Sequence, residues 1–126
     1  MSEEMKWDMI YSYTRAQAIE DGVLADVSEP AKEAGFKLPV ALTAAVWGLI
    51  EAIPQEFQGI QDTTGRLWDV LTMAAYAARA NKDASLVFFK VDMPNTQGKR
   101  TVDLKMICGP GDNAEPVLTI MLPTED

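Results

Sequence analysis

The hydrophobic pattern of this chain changes its period near residue 85. Between 64 and 80, apolar side chains recur at three- and four-residue spacing, which is the repeat of an amphipathic helix. After 85, apolar and polar residues alternate, most clearly over 99–108, as in a strand with one buried face. Helices therefore come first and strands last, an order that predicts an α+β fold.

The last third of the chain is expected to form a three-stranded antiparallel meander. Strands are predicted at 85–93, 99–108 and 116–122, and the loops between them, PNTQG and GPGDNAE, are rich in turn-forming residues. We expect the N-terminal helices to pack on this meander, which a short strand near 23–27 can extend. In the middle strand the alternation directs Cys108 inward as a small buried side chain.

Capping signals divide the stretch YSYTRAQAIEDGVLADVS, 11–28, into a short helix and a short strand. Thr14 and Gln17 have the spacing of a capping box, and Gly22 suits the left-handed residue after a helix. Four residues of the stretch are explained neither by capping nor by burial: Tyr11, Tyr13, Arg15 and Asp26.

The longest predicted helix, 64–80, is expected to lie at the centre of the fold. Its apolar face is rich in alanine, which lets another element approach closely. A shorter helix over 44–53 precedes it, with Thr43 as its N-cap. Trp47 and Trp68, one on each helix, are expected to pack in the core.

Arg66 and Asp69 of the long helix form a second group of candidate residues. They stand three positions apart, so they can pair with each other on one helix face. They can also reach across to Arg15 and Asp26 and form a polar network between helix and strand. The candidate binding residues of the sequence are therefore Tyr11, Tyr13, Arg15, Asp26, Arg66 and Asp69.

The net charge of −8 is concentrated in the first half of the chain. Residues 1–62 carry a net charge of −7 and residues 63–126 a net charge of −1. A negative field repels phosphate backbones, which argues against nucleic-acid binding. Four cations form the strongest basic patch, expected on a hairpin face: Lys90, Lys99, Arg100 and Lys105.

The chain has the composition of a cytoplasmic protein. Its single cysteine cannot form an internal disulfide, which is typical of a reducing compartment. No apolar run approaches the roughly 18–20 residues of a membrane span. The acidic start MSEEMKWDMI lacks the order of a signal peptide. We expect one domain over 1–126 with no membrane partner, and the sequence leaves the oligomeric state open.

The absence of histidine is the most informative negative feature. It removes Ser-His-Asp and Cys-His catalysis, the commonest general base and most transition-metal sites. The loop GPGD lacks the Lys-Ser/Thr of a phosphate-binding loop and lies between two predicted strands. We therefore expect no cofactor and no metal, and a non-enzymatic protein in preference to an enzyme.

Four phrases of the sequence carry a resemblance to a known family: YSYTRAQAIEDGVLADVS, PVALTAAVW, GRLWDVLTMAA and CGPGDNAEPVLTIMLPTED. Over most of its length, from about Ile10 to the end, the chain resembles a family of small proteins of unknown function from bacteria, plasmids and phages. The resemblance implies a mobile-element or accessory-gene context. It implies no activity and no catalytic residues.

Three functions remain open at this point. The first is a small acidic binding protein that docks on another, unidentified protein, with DNA mimicry by its carboxylates as a sharper version. The second is a small enzyme or ligand-binding domain that uses a cluster of arginine, tyrosine and carboxylate side chains. The third is a nucleic-acid binder that uses the basic hairpin face.

Overall fold

The computed structural model describes residues 13–126, which form one five-stranded sheet and four α-helices. The strands are β1 (Leu24–Asp26), β2 (Val40–Thr43), β3 (Leu86–Asp92), β4 (Thr101–Pro110) and β5 (Pro116–Met121). The helices are α1 (Arg15–Glu20), α2 (Ser28–Glu33), α3 (Ala44–Glu51) and α4 (Thr63–Ala80), and a 3₁₀ turn, Gln55–Phe57, lies between the last two. None of the described helices has the length and apolar character needed to cross a membrane.

The sheet is mixed, with the strand order β1-β2-β5-β4-β3. β3, β4 and β5 pair antiparallel in sequence order, β2 pairs parallel with β5, and β1 pairs antiparallel with β2. The prediction of an α+β fold is confirmed, but the predicted arrangement, N-terminal helices on a three-stranded meander, is wrong. The parallel β2–β5 pair was missed because no local turn joins parallel strands, so no sequence signal marks their pairing.

The main core lies between one face of the sheet and helices α2, α3 and α4. Val70, Leu71 and Ala74 of α4 are fully buried there, as the helical spacing predicted. Val102, Leu104 and Met106 of β4 face them from the sheet, and Cys108 packs against the same core while half-buried.

The opposite face of the sheet carries α1. Thr119 of β5 points to this face, since its neighbours Leu118 and Ile120 belong to the main core. The guanidinium of Arg15 donates to the Thr119 hydroxyl over 2.8 Å and to the Leu118 carbonyl over 2.7 Å. Among the described residues, four buried apolar side chains lie outside the main core, on α1 and on this face: Ala18, Ala41, Val117 and Met121.

Two of the four described helices start at their predicted caps, whereas α2 follows Val27, which makes no side-chain cap bond. Thr14 and Gln17 form the capping box, and Thr43 caps α3 through a bond from the Val46 amide. Asp62 caps α4, accepting from the Gly65 amide over 2.7 Å. These bonds satisfy amides that have no partner inside a helix, which is why the sequence locates them well.

The two tryptophans differ from each other in burial. Trp47 is half-buried against the core, but Trp68 is 44% exposed, so its predicted core position is wrong. Residues two positions apart lie on nearly opposite sides of a helix, and Trp68 stands two positions before the buried Val70. The buried face of α4 therefore leaves Trp68 on the outside.

The pairing of β3 predicts alternating hydrogen exchange along this strand. The Ser85 carbonyl accepts from the Cys108 amide, and the Met93 amide donates to the Arg100 carbonyl. The odd-numbered residues between positions 85 and 93 therefore bond to β4. We expect amides at even positions 86–92 to exchange about a hundred times faster than those at odd positions 87–91. Exchange measured by NMR tests this, and uniform protection along β3 would contradict an unpaired edge.

Candidate functional site

The structure describes five of the six predicted site residues and separates them into two groups; Tyr11 lies outside the described residues. Arg15 belongs to the face that carries α1, and Tyr13 precedes that helix and donates its hydroxyl to Asp21 over 2.7 Å. Arg66 and Asp69 lie on α4, on the other side of the sheet. The predicted network between Arg15 and Arg66 therefore does not form.

Arg15 and its neighbours hold α1 to the sheet. Burial lowers the pKa of Arg15, and the nearby carboxylates of Asp26 and Asp112 oppose that shift. Asp112 also accepts from the backbone amides of Arg15 and Ala16, over 2.7 and 3.1 Å, and so adds a second cap to this short helix. The GPGD loop thus anchors α1, a role that the sequence did not indicate.

Asp26 has a local structural role. Its Oδ1 accepts from the amide of Ser28 over 3.1 Å and from the Ser28 hydroxyl over 2.7 Å. The same hydroxyl accepts from the amide of Val40 over 3.0 Å. Asp26 therefore shapes the turn from β1 into α2.

Arg66 is buried, with 2% of its surface exposed, and it joins three segments to α4. Its Nε and Nη2 donate to the Ile50 and Leu49 carbonyls at the end of α3, each over 2.9 Å. Its Nη1 donates to the Gln61 side chain over 2.8 Å and to the Pro94 carbonyl over 2.9 Å. Burial lowers the pKa of Arg66, against the opposing effect of Asp69. Arg66 makes no ion pair with a described carboxylate, so backbone and amide oxygens solvate its charge.

Asp69 lies one turn after Arg66, on the side of α4 that faces the end of β3. Burial raises the pKa of Asp69, the negative charge of Asp92 raises it further, and Arg66 acts in the opposite direction. Asp92 is the last residue of β3. The negative charge of Asp92 therefore acts on Asp69 from a different element, and neither carboxylate makes a salt bridge with a described cation.

A groove runs between α4 and β3 at this point, and we call it the α4–β3 groove. It encloses about 430 Å³. Its lining consists of Asp69, Thr72, Met73, Lys90, Val91, Asp92 and Thr101. The hydroxyl oxygen of Thr72 is buried and has no hydrogen-bond partner within residues 13–126. Polar and apolar groups therefore line the same depression.

Exposed apolar side chains lie on both elements that form the groove. On α4 these are Trp68, Met73 and Tyr76, which are 44%, 38% and 64% exposed. On β3 they are Leu86 and Phe88, which are 43% and 63% exposed. Leu86 and Phe88 point to the face of the sheet opposite α4, so exposed apolar groups flank the edge of β3 on both sides, an arrangement that suits protein binding.

β3 is the longer of the two edge strands of the sheet. It has seven residues, whereas β1 at the opposite edge has three. Leu86, Phe88, Lys90 and Asp92 direct their backbone N–H and C=O groups away from β4, and no described strand pairs with them. An unpaired edge of this length is a ready template for another strand.

The predicted basic face is weaker than its four cations indicate. Lys90 pairs with Asp103 over 2.9 Å, and Lys105 is half-buried on β4. Lys99 and Arg100 are exposed in the loop between β3 and β4. In the described part of the chain, no group of three or more histidine, cysteine or acidic side chains is arranged to hold a metal ion.

The sequence analysis missed Asp92 and the apolar side chains beside it. Asp92 reads locally as an ordinary polar residue at a strand end, and Phe88 reads as part of a buried β-rich run. Their relevance follows from the position of β3 at the edge of the sheet. That position is set by pairings far along the chain and has no local signal.

Replacement of Arg66 by alanine is expected to destabilise the fold by about 3 kcal/mol, because the buried bond to the Ile50 carbonyl and the part-buried bonds to the Leu49 and Pro94 carbonyls are lost. Arg66→Lys should recover only part of this loss, since an ammonium group cannot reach all four acceptors. Urea unfolding measures the change. Arg100→Ala, an exposed loop variant, is the control and should stay within about 0.5 kcal/mol of wild type. A similarly small change for Arg66→Ala would contradict its proposed structural role.

Asp69→Asn is expected to raise the melting temperature at neutral pH. Folding raises the pKa of Asp69. The Asp69 carboxyl therefore contributes stability in full below its unfolded-state pKa, where it is protonated, and this stability is lost as the pH rises through the folded-state pKa. The advantage of the amide should therefore be absent near about pH 3 and grow with pH. Thermal unfolding across this range, with Asp83→Asn as a matched control, measures it. A lower melting temperature for Asp69→Asn at neutral pH is the contrary result.

Comparison with known proteins gives a family and no activity. Comparison with curated proteins and with solved structures yields no match. A family model described as a family of unknown function, DUF6573, matches residues 5–126. Since the match covers nearly the whole sequence, the chain belongs to the DUF6573 family.

Proposed function

We propose that this protein is a non-enzymatic binding module that takes up an extended segment of a partner protein along the edge of β3. The observation that carries the proposal is the seven-residue edge of β3, with which no described strand pairs, beside a helix that exposes large apolar side chains. Strand addition between an edge strand and a helix is a general mode of peptide recognition.

The backbone of β3 supplies most of the recognition. Alternate residues, 86, 88, 90 and 92, present a donor and an acceptor each, at the spacing of a second strand. These bonds do not depend on the partner's side chains, so the edge alone gives affinity with little sequence preference.

The flanking side chains supply the apolar contact. A bound strand alternates its side chains between the two faces of the sheet. One set would enter the α4–β3 groove beside Met73, and the other would lie beside Leu86 and Phe88 on the opposite face. Burial of such side chains contributes about 25 cal/mol for each Å² of apolar surface removed from water.

The separation of the predicted site residues supports binding over catalysis. Arg15 lies on one side of the sheet and Arg66 on the other, so no pocket collects both with their acidic neighbours. Arg66 is also occupied by four hydrogen bonds. The family resemblance implies an accessory-gene setting. Such a setting suits a small protein that acts by docking on a cytoplasmic partner.

Phe88→Pro is expected to weaken binding about tenfold or more, because it removes an outward N–H and places a ring where the added strand would lie. The amide of Phe88 makes no bond to β4, so the sheet itself should survive. Binders are first selected from a display library of random ten-residue peptides. Labelled synthetic copies are then titrated against each variant by fluorescence anisotropy.

Phe88→Val is the matched control, since it keeps the N–H and an apolar side chain and should lose less than about threefold. If Phe88→Pro does not fold by circular dichroism, Lys90→Pro with Lys90→Met as its control tests the same edge. Selected peptides that bind the proline and control variants equally, or a library that yields no binder, would contradict the proposal.

A further inference from the structure

We infer that the segment bound at β3 carries a lysine or arginine that lies beside Asp69, opposite Val91, two residues away from an apolar side chain. This inference rests on the proposed function and names the chemistry of its partner. The charges, the register and the lining of the α4–β3 groove support it.

The charges of the groove leave a net negative site at one end. Asp69 comes from α4 and Asp92 from the end of β3, and both line the groove. Lys90 is the cation in the lining, and Asp103 on the other face of the sheet already pairs with it. The guanidinium of Arg66 is buried and directed at carbonyls and an amide oxygen. A cation from the partner would therefore match charges that the described chain leaves unmatched.

The environment of Asp69 favours the approach of a cation. Partial burial and the charge of Asp92 both raise the pKa of Asp69. An ammonium or guanidinium group beside Asp69 would offset both effects. Thr72, whose buried hydroxyl has no hydrogen-bond partner within residues 13–126, belongs to the same lining.

The register of an added strand sets the spacing within the segment. Val91 points to the same face of the sheet as α4, so a partner residue opposite Val91 projects toward Asp69. The partner residue opposite Phe89 lies two positions from the one opposite Val91 and also points to the α4 face. It lies further along α4, toward Met73 and Tyr76. A cation at the first position and an apolar side chain at the second match these surroundings.

The test is a selection from the random ten-residue library against three proteins: the wild type, Asp69→Asn/Asp92→Asn, and Glu33→Gln/Glu56→Gln. The last variant removes two negative charges from exposed positions outside the groove lining, so it controls for long-range attraction. We expect wild-type and control pools to be enriched in lysine or arginine two residues from an apolar residue. The groove variant should lose this enrichment while its binders remain sensitive to Phe88→Pro.

Synthetic peptides make the comparison quantitative. Replacement of the selected lysine or arginine by methionine should weaken binding to wild type about tenfold, and to the groove variant less than about twofold. Peptides selected on the wild type that carry no lysine or arginine, but whose binding is weakened by Phe88→Pro, would overturn this inference and leave the proposed function standing. Wild-type binders that are insensitive to Phe88→Pro would overturn both.

Discussion

The contacts of one buried guanidinium set the position of the long helix. Arg66 bonds the end of α3, the turn before α4 and the loop after β3, so three separate segments meet at the first turns of α4. If the side chain were removed, each of these acceptors would lose a donor, and the Ile50 carbonyl would lose one in a buried setting. The distance between α4 and the end of β3, and with it the opening beside Asp69, depends on this cluster.

The two edge strands of the sheet differ in length and in their exposed side chains. At one end, β1 has three residues, and short edge strands offer little to an intruding chain. At the other end, β3 has seven residues, with charged side chains in its second half and exposed Leu86 and Phe88 in its first. Charges on an edge strand discourage indiscriminate pairing, and an apolar stretch beside them leaves room for a specific one. The proposed binding mode follows from this asymmetry.

Much of the local structure could be predicted from the sequence because short-range chemistry determines it. The capping box of Thr14 and Gln17, the left-handed Gly22 with φ of 80°, and the buried face of α4 all depend on residues a few positions apart. What could not be predicted depends on distant partners. The parallel pairing of β2 with β5 and the capping of α1 by Asp112 have no local signal.

The candidate site shows the same division. Arg66 and Asp69 stood out as unusual residues in the sequence, and both matter in the structure, though in different ways. Arg66 is structural, whereas Asp69 lines the α4–β3 groove together with Asp92, a residue from a distant part of the chain. Arg15 was equally conspicuous and holds α1 to the sheet. Residue type alone could not separate these roles, because the contacts that Arg15, Arg66 and Asp69 make depend on the strand order.

Hydrogen exchange of β3 in the presence of a selected peptide tests the central claim most directly. The account predicts that the amides of Leu86, Phe88, Lys90 and Asp92, which point away from β4, become protected on binding, while the intervening amides, already bonded to β4, change little. Protection that appears elsewhere, for example around a separate cavity whose lining includes Phe36 and Cys108, with these four amides unchanged, would contradict strand addition at this edge.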